Sequence, residues 1–595
     1  MSAALTFKTA AHPLRAWSLA VILALAPLWL VATLHRGLWT PDEPREADIA
    51  WRMSQQADRT LPRLAGTPFL EKPPLSYWMS AAAIESCGDY PGCARLPNIL
   101  YAGVTALALG AVAYTMSGAV AAFLSAMFAA SALILFRVEV WLAPDAGLLA
   151  GCSLSLLGAY LGFTSSPGRR KLIGYTIMHL GAALAFMMKS APGWLAPGLA
   201  LLTIILWERR WTELRRWELY AGLLLQAAII TPWVYAVSRS PQGSDALLTF
   251  FWHNVVGRFT KIAGPAQLDY TTGHPNWAGK YFIELPVYLF PWTLVAVAAL
   301  ARAWRRVRAP GADGTPWRFA IAAALPLLLV LSVAATARDI YSAPALLGLC
   351  LLMGLWAAEV AHSPGRLDRA ALLGTQVLVG FITCVFVGFL IILGIGRGDN
   401  VESVGAVSGV VLFAAAVIVP AVATVALWLS VAARRRGEVQ ATLLWSYAAY
   451  AGALCLTALA AFPAVDRWQD LGDLARDIHR DSNGTALALL DPDETTIAML
   501  DHQLRTPFDI LVTSQHDDAR RVVANWFQVH DEQARVLVAL PGHAPGEFSR
   551  FVDRFHPQLS PGDGEAGKLA AQRVATPVRR YQLPQGRRYE LLAPP

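Results

Sequence analysis

The chain has 595 residues, of which 55% are hydrophobic and only 15% charged, and its mean hydropathy is +0.43. Such a composition leaves too little polar surface to cover a soluble protein, so a purely soluble chain is excluded and the bilayer is its natural solvent. The formal net charge of +7 is carried largely by loops between apolar runs, which makes it a signal of membrane topology and not of nucleic-acid binding.

Apolar runs of the length that a spanning helix needs recur along the chain. In order they predict spans over 16–34, 97–116, 119–136, 142–163, 173–188, 192–207, 218–237, 281–301, 318–336, 340–359, 370–394, 406–432 and 441–462, about 13 in all. Pro192 and Pro197 leave open a re-entrant pair of short helices within 173–207. The first run reaches spanning length and lacks a clear small-residue cleavage site, so it reads as a retained span. Basic residues gather in alternate loops: Lys8 and Arg15, Arg169 to Lys171, Arg209 to Arg216, Arg302 to Arg308, Arg366 and Arg369, and Arg434 to Arg436. The intervening short connections hold little beyond Arg137, Lys189, Arg338 and Arg397. The positive-inside rule therefore predicts a cytoplasmic N-terminus, exported segments at 35–96 and 238–280, and an exported C-terminal domain.

Cys152, Cys350, Cys384 and Cys455 fall inside apolar runs as small hydrophobes. Cys87 and Cys93 stand apart in an exported loop, where an oxidising compartment permits a short disulfide; a zinc knuckle competes, but without a nearby His. Beyond residue 463 short apolar runs alternate with polar turns. Strands over Ala486–Leu490, Ile510–Thr513 and Arg535–Leu540, with helices over Leu471–Arg480 and Asp517–Phe527, predict a small α/β domain. The fold expected is thus a polytopic α-helical membrane domain, 1–462, followed by a soluble α/β domain, 463–595. That second domain shows no phosphate loop, metal spacing or nucleophile motif, and reads as a lid or docking platform.

The first exported loop carries the chemistry. It opens with Pro-Asp42-Glu43-Pro-Arg45-Glu46, continues through Phe-Leu-Glu71-Lys72-Pro-Pro-Leu-Ser-Tyr77-Trp78, and closes with Arg95-Leu-Pro97. Charges at a membrane surface are costly unless they line a cavity or meet a polar ligand, and the Pro-Pro step fixes where the Glu-Lys pair points. This ordered set resembles the polyprenyl-phosphate-dependent membrane glycosyltransferases (GT-C type, family 39), which include bacterial aminoarabinose transferases acting on lipid A and the protein O-mannosyltransferases. The Glu-Lys-Pro-Pro form is most similar to the aminoarabinose branch. The likeness continues through Pro144-Asp145, Met188-Lys189, Thr231-Pro-Trp233, Phe250 to Asn254, Arg258-Phe259, His274-Pro, Phe290-Pro-Trp292 and Ala337 to Pro344.

The resemblance implies a sugar carried on undecaprenyl phosphate and moved to lipid A or another envelope acceptor at the outer face of the bacterial inner membrane. It places Asp42 beside the anomeric carbon, with Asp145 as a second acid and Glu43 close by. An anionic leaving group needs cations, and Lys72, Arg45, Lys189 and Arg338 are the basic residues expected at the outer face, with Tyr341 as a hydroxyl donor and Arg258 as a further motif residue. Glu71 with a histidine, His253 or else His274, would hold a divalent metal, zinc, magnesium or manganese. Glu46 departs from the family pattern, where many relatives carry an aromatic, and this puts the donor sugar in question. Without the resemblance, Lys189 and Arg338 have the alternative reading of snorkelling ends of helices, Tyr341 that of an interfacial anchor and Asp145 that of a helix cap. Two other functions remain open: a protein O-mannosyltransferase, and a multi-span lipid or sugar transporter, although no internal repeat supports the latter.

Overall fold

The computed structural model describes residues 25–88, 91–256, 276–309, 314–360, 364–395, 409–469, 471–482, 484–513, 518–540, 574–583 and 587–595. Among them, nine helices are long and apolar enough to cross a membrane, and the chain is a multi-span membrane protein. Helix α1 (Leu25–Leu34) leads to α2 (Asp42–Gln55), a two-stranded hairpin β1 (Arg63–Leu64) and β2 (Thr67–Pro68), and α3 (Leu75–Cys87). Then follow α4 (Pro91–Ser131), α5 (Leu133–Val140), α6 (Pro144–Thr164), α7 (Arg169–Lys189), α8 (Pro192–Trp207), α9 (Trp217–Ala221) and α10 (Leu223–Ser238). Short α11 (Gly243–Leu248) and α12 (Asn254–Val256) precede α13 (Lys280–Tyr288), α14 (Thr293–Arg308), α15 (Thr315–Ser332), α16 (Ala343–Glu359), α17 (Arg366–Ile395), α18 (Gly409–Arg435) and α19 (Val439–Gln469).

Two expected spans, 119–136 and 281–301, differ from what is observed. The boundary between 97–116 and 119–136 is a break inside α4, where Ser117 and Gly118 leave helical geometry and Gly118 takes φ +82°, a region that favours glycine. The second of those spans stops at Ser131. Ala132 is extended, and the next amide, Leu133 N–H, donates to the Phe290 carbonyl at 2.9 Å. The span expected over 281–301 is no straight helix: α13 and α14 meet at 118°. Helix α13 ends at Tyr288, three residues before Pro291, and α14 starts at Thr293; a proline disfavours helical geometry in the residue before it.

Helices α6 and α7 pack closely through glycines. A Cβ on Gly158 would lie 2.1 Å from the Met178 backbone nitrogen, and one on Gly151 would lie 2.7 Å from Ala185. Small residues let membrane helices approach where larger ones would clash. This contact brings the start of α6 (Asp145) against the end of α7 (Lys189).

In the C-terminal region, α20 (Gly472–Asp481), β3 (Leu487–Leu490), α21 (Glu494–Leu504), β4 (Asp509–Leu511), α22 (Ala519–Gln528), β5 (Arg535–Leu540), β6 (Thr576–Gln582) and β7 (Arg588–Ala593) form a five-stranded sheet ordered β4-β3-β5-β7-β6. Strand β3 runs parallel to β4 and β5, while β7 is antiparallel to β5 and β6. Helices α21 and α22 supply the crossovers that parallel strands need. Helix α21 and strands β6 and β7 were not among the expected elements.

The first loop is tied to the last membrane helix. Trp39 Nε1 donates to Asp466 at 2.6 Å and the Thr40 amide to Gln469 at 2.9 Å. Cys87 and Cys93 are joined as a disulfide between α3 and α4.

Candidate active site

Helix α2 begins at the motif acids, and its first turn divides their work. Glu43 is fully buried and accepts from Arg36 at 2.5 and 2.7 Å, from Arg95 at 2.8 and 3.0 Å, and from the amides of Trp39 and Leu142 at 2.9 and 2.8 Å. Every lone pair of that carboxylate has a donor, so Glu43 anchors the loop to α4 and has no capacity left for a ligand. Burial alone would raise its pKa, but Arg36 and then Arg95 outweigh burial and hold it at about 2. Its folded pKa is depressed, so its contribution to stability is present above the ordinary carboxylate value and is lost as pH falls toward about 2. Glu43→Ala leaves Arg36 and Arg95, 3% and 0% exposed, without a hydrogen-bonded carboxylate among the described residues, and only Asp466 acts on them from farther away. The expected cost is about 3–5 kcal/mol, to be read as a fall in melting temperature and in the yield of folded detergent-extracted protein.

Asp42 stands one position earlier and faces a different set of partners. Its carboxylate accepts from Arg338 Nη2 at 2.9 Å and from Arg45 Nη2 at 3.3 Å. Burial acts to raise Asp42, but Arg338, Arg45 and Lys72 outweigh it and hold the carboxyl well below the usual carboxylate range. Arg338 is held by its backbone: Tyr281 Oη donates to its carbonyl at 3.2 Å. Burial acts to lower Arg338, and Asp42 overcomes it and raises it. The turn Asp339–Ser342 that follows carries Tyr341, whose amide donates to the Arg338 carbonyl at 3.1 Å.

Around this pair the other expected residues take their places. Lys72 donates to Glu46 at 2.7 Å, and Arg45 Nη2 reaches the same carboxylate at 3.2 Å. Both cations approach the Phe69 ring, at 6.0 Å for Lys72 and 5.2 Å for Arg45. Lys189 is ion-paired with Asp145, and its ammonium lies 5.1 Å from the centre of the Tyr341 ring. Two clusters result, Asp42/Glu46 with Arg45, Lys72 and Arg338, and Asp145 with Lys189 and Tyr341. The Arg338–Tyr341 turn joins them. Arg45 Nε is buried and has no acceptor among the described residues, which leaves a donor free for a ligand oxygen.

Glu71 is half-buried and adds to the negative field on Arg45, and His253 is half-buried at the end of a π-helical turn, Thr249–His253. Arg258 and His274 lie outside the described residues. Among the described residues no three His, Cys, Asp or Glu side chains gather as metal ligands. A catalytic zinc takes three protein ligands, and Glu71 with His253 would supply two of them.

Two residues of the cluster escaped the sequence reading. Glu46, noted there only as a departure from pattern, is the carboxylate shared by Lys72 and Arg45. Glu494, from the C-terminal domain, bonds Arg45 Nη1 at 2.5 Å. No local motif marks it.

Residues 71–235 match the family model described as dolichyl-phosphate-mannose-protein mannosyltransferase. The backbone resembles the crystal structure of ArnT from Cupriavidus metallidurans bound to undecaprenyl phosphate, with a TM-score of 0.71 and 18% identity over 98% of each chain. The chain has the ArnT fold. Among relatives in sequence, the undecaprenyl phosphate-alpha-4-amino-4-deoxy-L-arabinose arabinosyl transferase of Pseudomonas paraeruginosa is 30% identical over 347 residues, 57% of this chain and 59% of the relative. The protein of the same description from Serratia proteamaculans is 26% identical over 386 residues, 64% of this chain and 65% of the relative. The matched stretch thus spans less than two thirds of either relative's length.

Proposed function

We propose that the protein is an inverting glycosyltransferase that moves an aminoarabinose-type sugar from undecaprenyl phosphate to lipid A, or to another phosphate-bearing envelope acceptor, on the outer face of the bacterial inner membrane. The observation that carries this reading is the convergence of Arg338, Arg45 and Lys72 on Asp42 and Glu46, in a chain whose fold is that of a protein crystallised with undecaprenyl phosphate. Departure of a polyprenyl phosphate builds negative charge on phosphate oxygens, and preorganised cations stabilise that charge without reorganising. Asp42 would orient the acceptor and stabilise positive charge at the anomeric carbon, with attack opposite the leaving group inverting the centre.

The family model's description favours a second reading, transfer of mannose to protein hydroxyls. Asp42 argues for the first. A Ser or Thr hydroxyl needs a base to remove its proton, and a carboxylate held this far below its usual range is a weak one. A phosphate acceptor is already ionised and needs none. Purified protein in nanodiscs, supplied with undecaprenyl-phosphate aminoarabinose and lipid A, is expected to give the sugar-modified lipid by mass spectrometry. Transfer to a peptide hydroxyl and not to lipid A would select the second reading.

The same proposal sets the N-terminus in the cytoplasm and the C-terminal domain in the periplasm. A cysteine placed at Asp473, on exposed α20, is expected to react with a membrane-impermeant maleimide on intact spheroplasts. One placed at Arg436, in the turn just after α18, should react only after permeabilisation. The opposite pattern would reverse the topology.

A further inference from the structure

Helix α21 of the C-terminal domain lies along α2, and its first turn is fixed from both ends. Asp493 caps it by accepting from the Thr496 amide at 2.6 Å, and Arg587 holds that aspartate at 3.1 Å. Thr495 Oγ1 donates at 3.0 Å to the carbonyl of Pro41, the residue immediately before Asp42. Farther along, Arg52 Nε donates to Asp501 at 2.8 Å. Glu494 sits between the capping aspartate and the threonine bonded to Pro41, so its backbone position relative to the start of α2 is set by the fold. Its carboxylate takes Arg45 Nη1.

We propose that Glu494 is a positioning residue of the transfer site, through which the C-terminal domain holds Arg45 with its Nε–H available to a phosphate oxygen of the lipid donor. The inference rests on the reading of this site as a polyprenyl-phosphate site. Glu494 takes one terminal nitrogen, Asp42 and Glu46 share the other, and Nε stays buried without an acceptor among the described residues. Remove Glu494, and the guanidinium is free to turn onto Asp42 or Glu46, both already within 3.3 Å of Nη2. A bidentate pair of that kind would consume Nε together with a terminal nitrogen. The side chain of Glu494 is 49% exposed, so solvent screens its charge and its effect is exerted through geometry.

The test measures binding of undecaprenyl phosphate and steady-state transfer for the full chain. Glu494→Ala is expected to weaken binding by about five- to tenfold, the scale of one charge-assisted hydrogen bond, with a larger change in KM than in kcat. Glu494→Gln keeps an acceptor for Nη1 and should recover most of the loss. Glu494→Asp, which retracts the carboxylate by one methylene, should fall between. A residue that only stapled the two domains would lower the melting temperature in all three variants and leave binding unchanged. Unchanged or tighter binding in Glu494→Ala, with binding still weakened in Lys72→Ala, overturns this inference alone. Failure of the unmodified protein to bind undecaprenyl phosphate saturably overturns both this inference and the reading beneath it.

Discussion

Replacing Asp42 with Asn is expected to lower kcat by about 10²–10⁴-fold while undecaprenyl phosphate binds as tightly as before, or more tightly. The side chain is nearly isosteric, and its amide oxygen can still accept from Arg338, which now donates at 2.9 Å. The fold is therefore kept, with a lower melting temperature because the ion pairs of Asp42 with Arg338 and Arg45 are lost. The charge does change. Removing a carboxylate beside Arg338 and Arg45 makes the pocket more positive, which favours an anionic lipid. Turnover falls because the carboxylate no longer faces the carbon that becomes positive in the transition state. This split between binding and turnover separates a catalytic role from a structural one.

The pH profile supplies a second check. Arg338, Arg45 and Lys72 hold Asp42 well below the usual carboxylate range against the effect of burial. A depressed folded pKa means that the ionised form, and the stability it contributes, persists above the unfolded value and is lost only as pH falls through the folded one. Asp42 therefore gives no acid limb to kcat between about pH 4 and pH 8. An acid limb in that window that disappears in Asp42→Asn, or full turnover in that variant, would remove the assignment.

What the sequence made legible follows from where the information sits. The membrane spans are legible because a run of apolar residues is a local property, and the nine described helices long and apolar enough to cross a membrane fall on expected runs. The bend between α13 and α14 is a different case: Pro291 is visible in the sequence, but proline interrupts some spans and merely kinks others, and neighbouring helices decide between them. The acids and bases of the site are legible as motif residues, because they cluster in one loop and at a few helix ends. Their pairing is not. Asp42 meets Arg338 across 296 positions and Lys189 meets Asp145 across 44, and only the packing of α2, α6, α7 and the turn before α16 brings them together. Glu43 and Asp42 are adjacent and alike in sequence, yet one is saturated by two buried arginines and the other faces the open cluster. Glu494 lies 449 positions from Arg45, in a domain that otherwise carries no chemical motif, so only the docking of α21 on α2 exposes it.

Lys72→Ala is expected to reduce kcat/KM by about 10³-fold, as the removal of one preorganised charge does elsewhere, through weaker binding of undecaprenyl phosphate and slower turnover together. Lys72 precedes Pro73-Pro74, and Pro74 leads directly into α3, so its backbone has little freedom. Its ammonium is held by Glu46 at 2.7 Å and by no other carboxylate among the described residues. Glu46 also binds Arg45, so the one anion sets the distance between two cations. A phosphate arriving at Lys72 exchanges one oxygen ligand for another while Glu46 retains Arg45, and the lysine is not left without a partner at any stage. Lys72→Arg should restore only part of the activity. Glu46 is buried, 2% exposed, and a planar guanidinium would make a bidentate pair with it and compete with Arg45 for the same oxygens. The bland alternative is that Glu46 and Lys72 form an ion pair that only braces the loop. That account predicts a loss of stability of about 1–3 kcal/mol for the alanine variant with unchanged donor affinity. Affinity and initial rate measured on the same preparation decide between them, and wild-type affinity in Lys72→Ala would take this lysine out of the site.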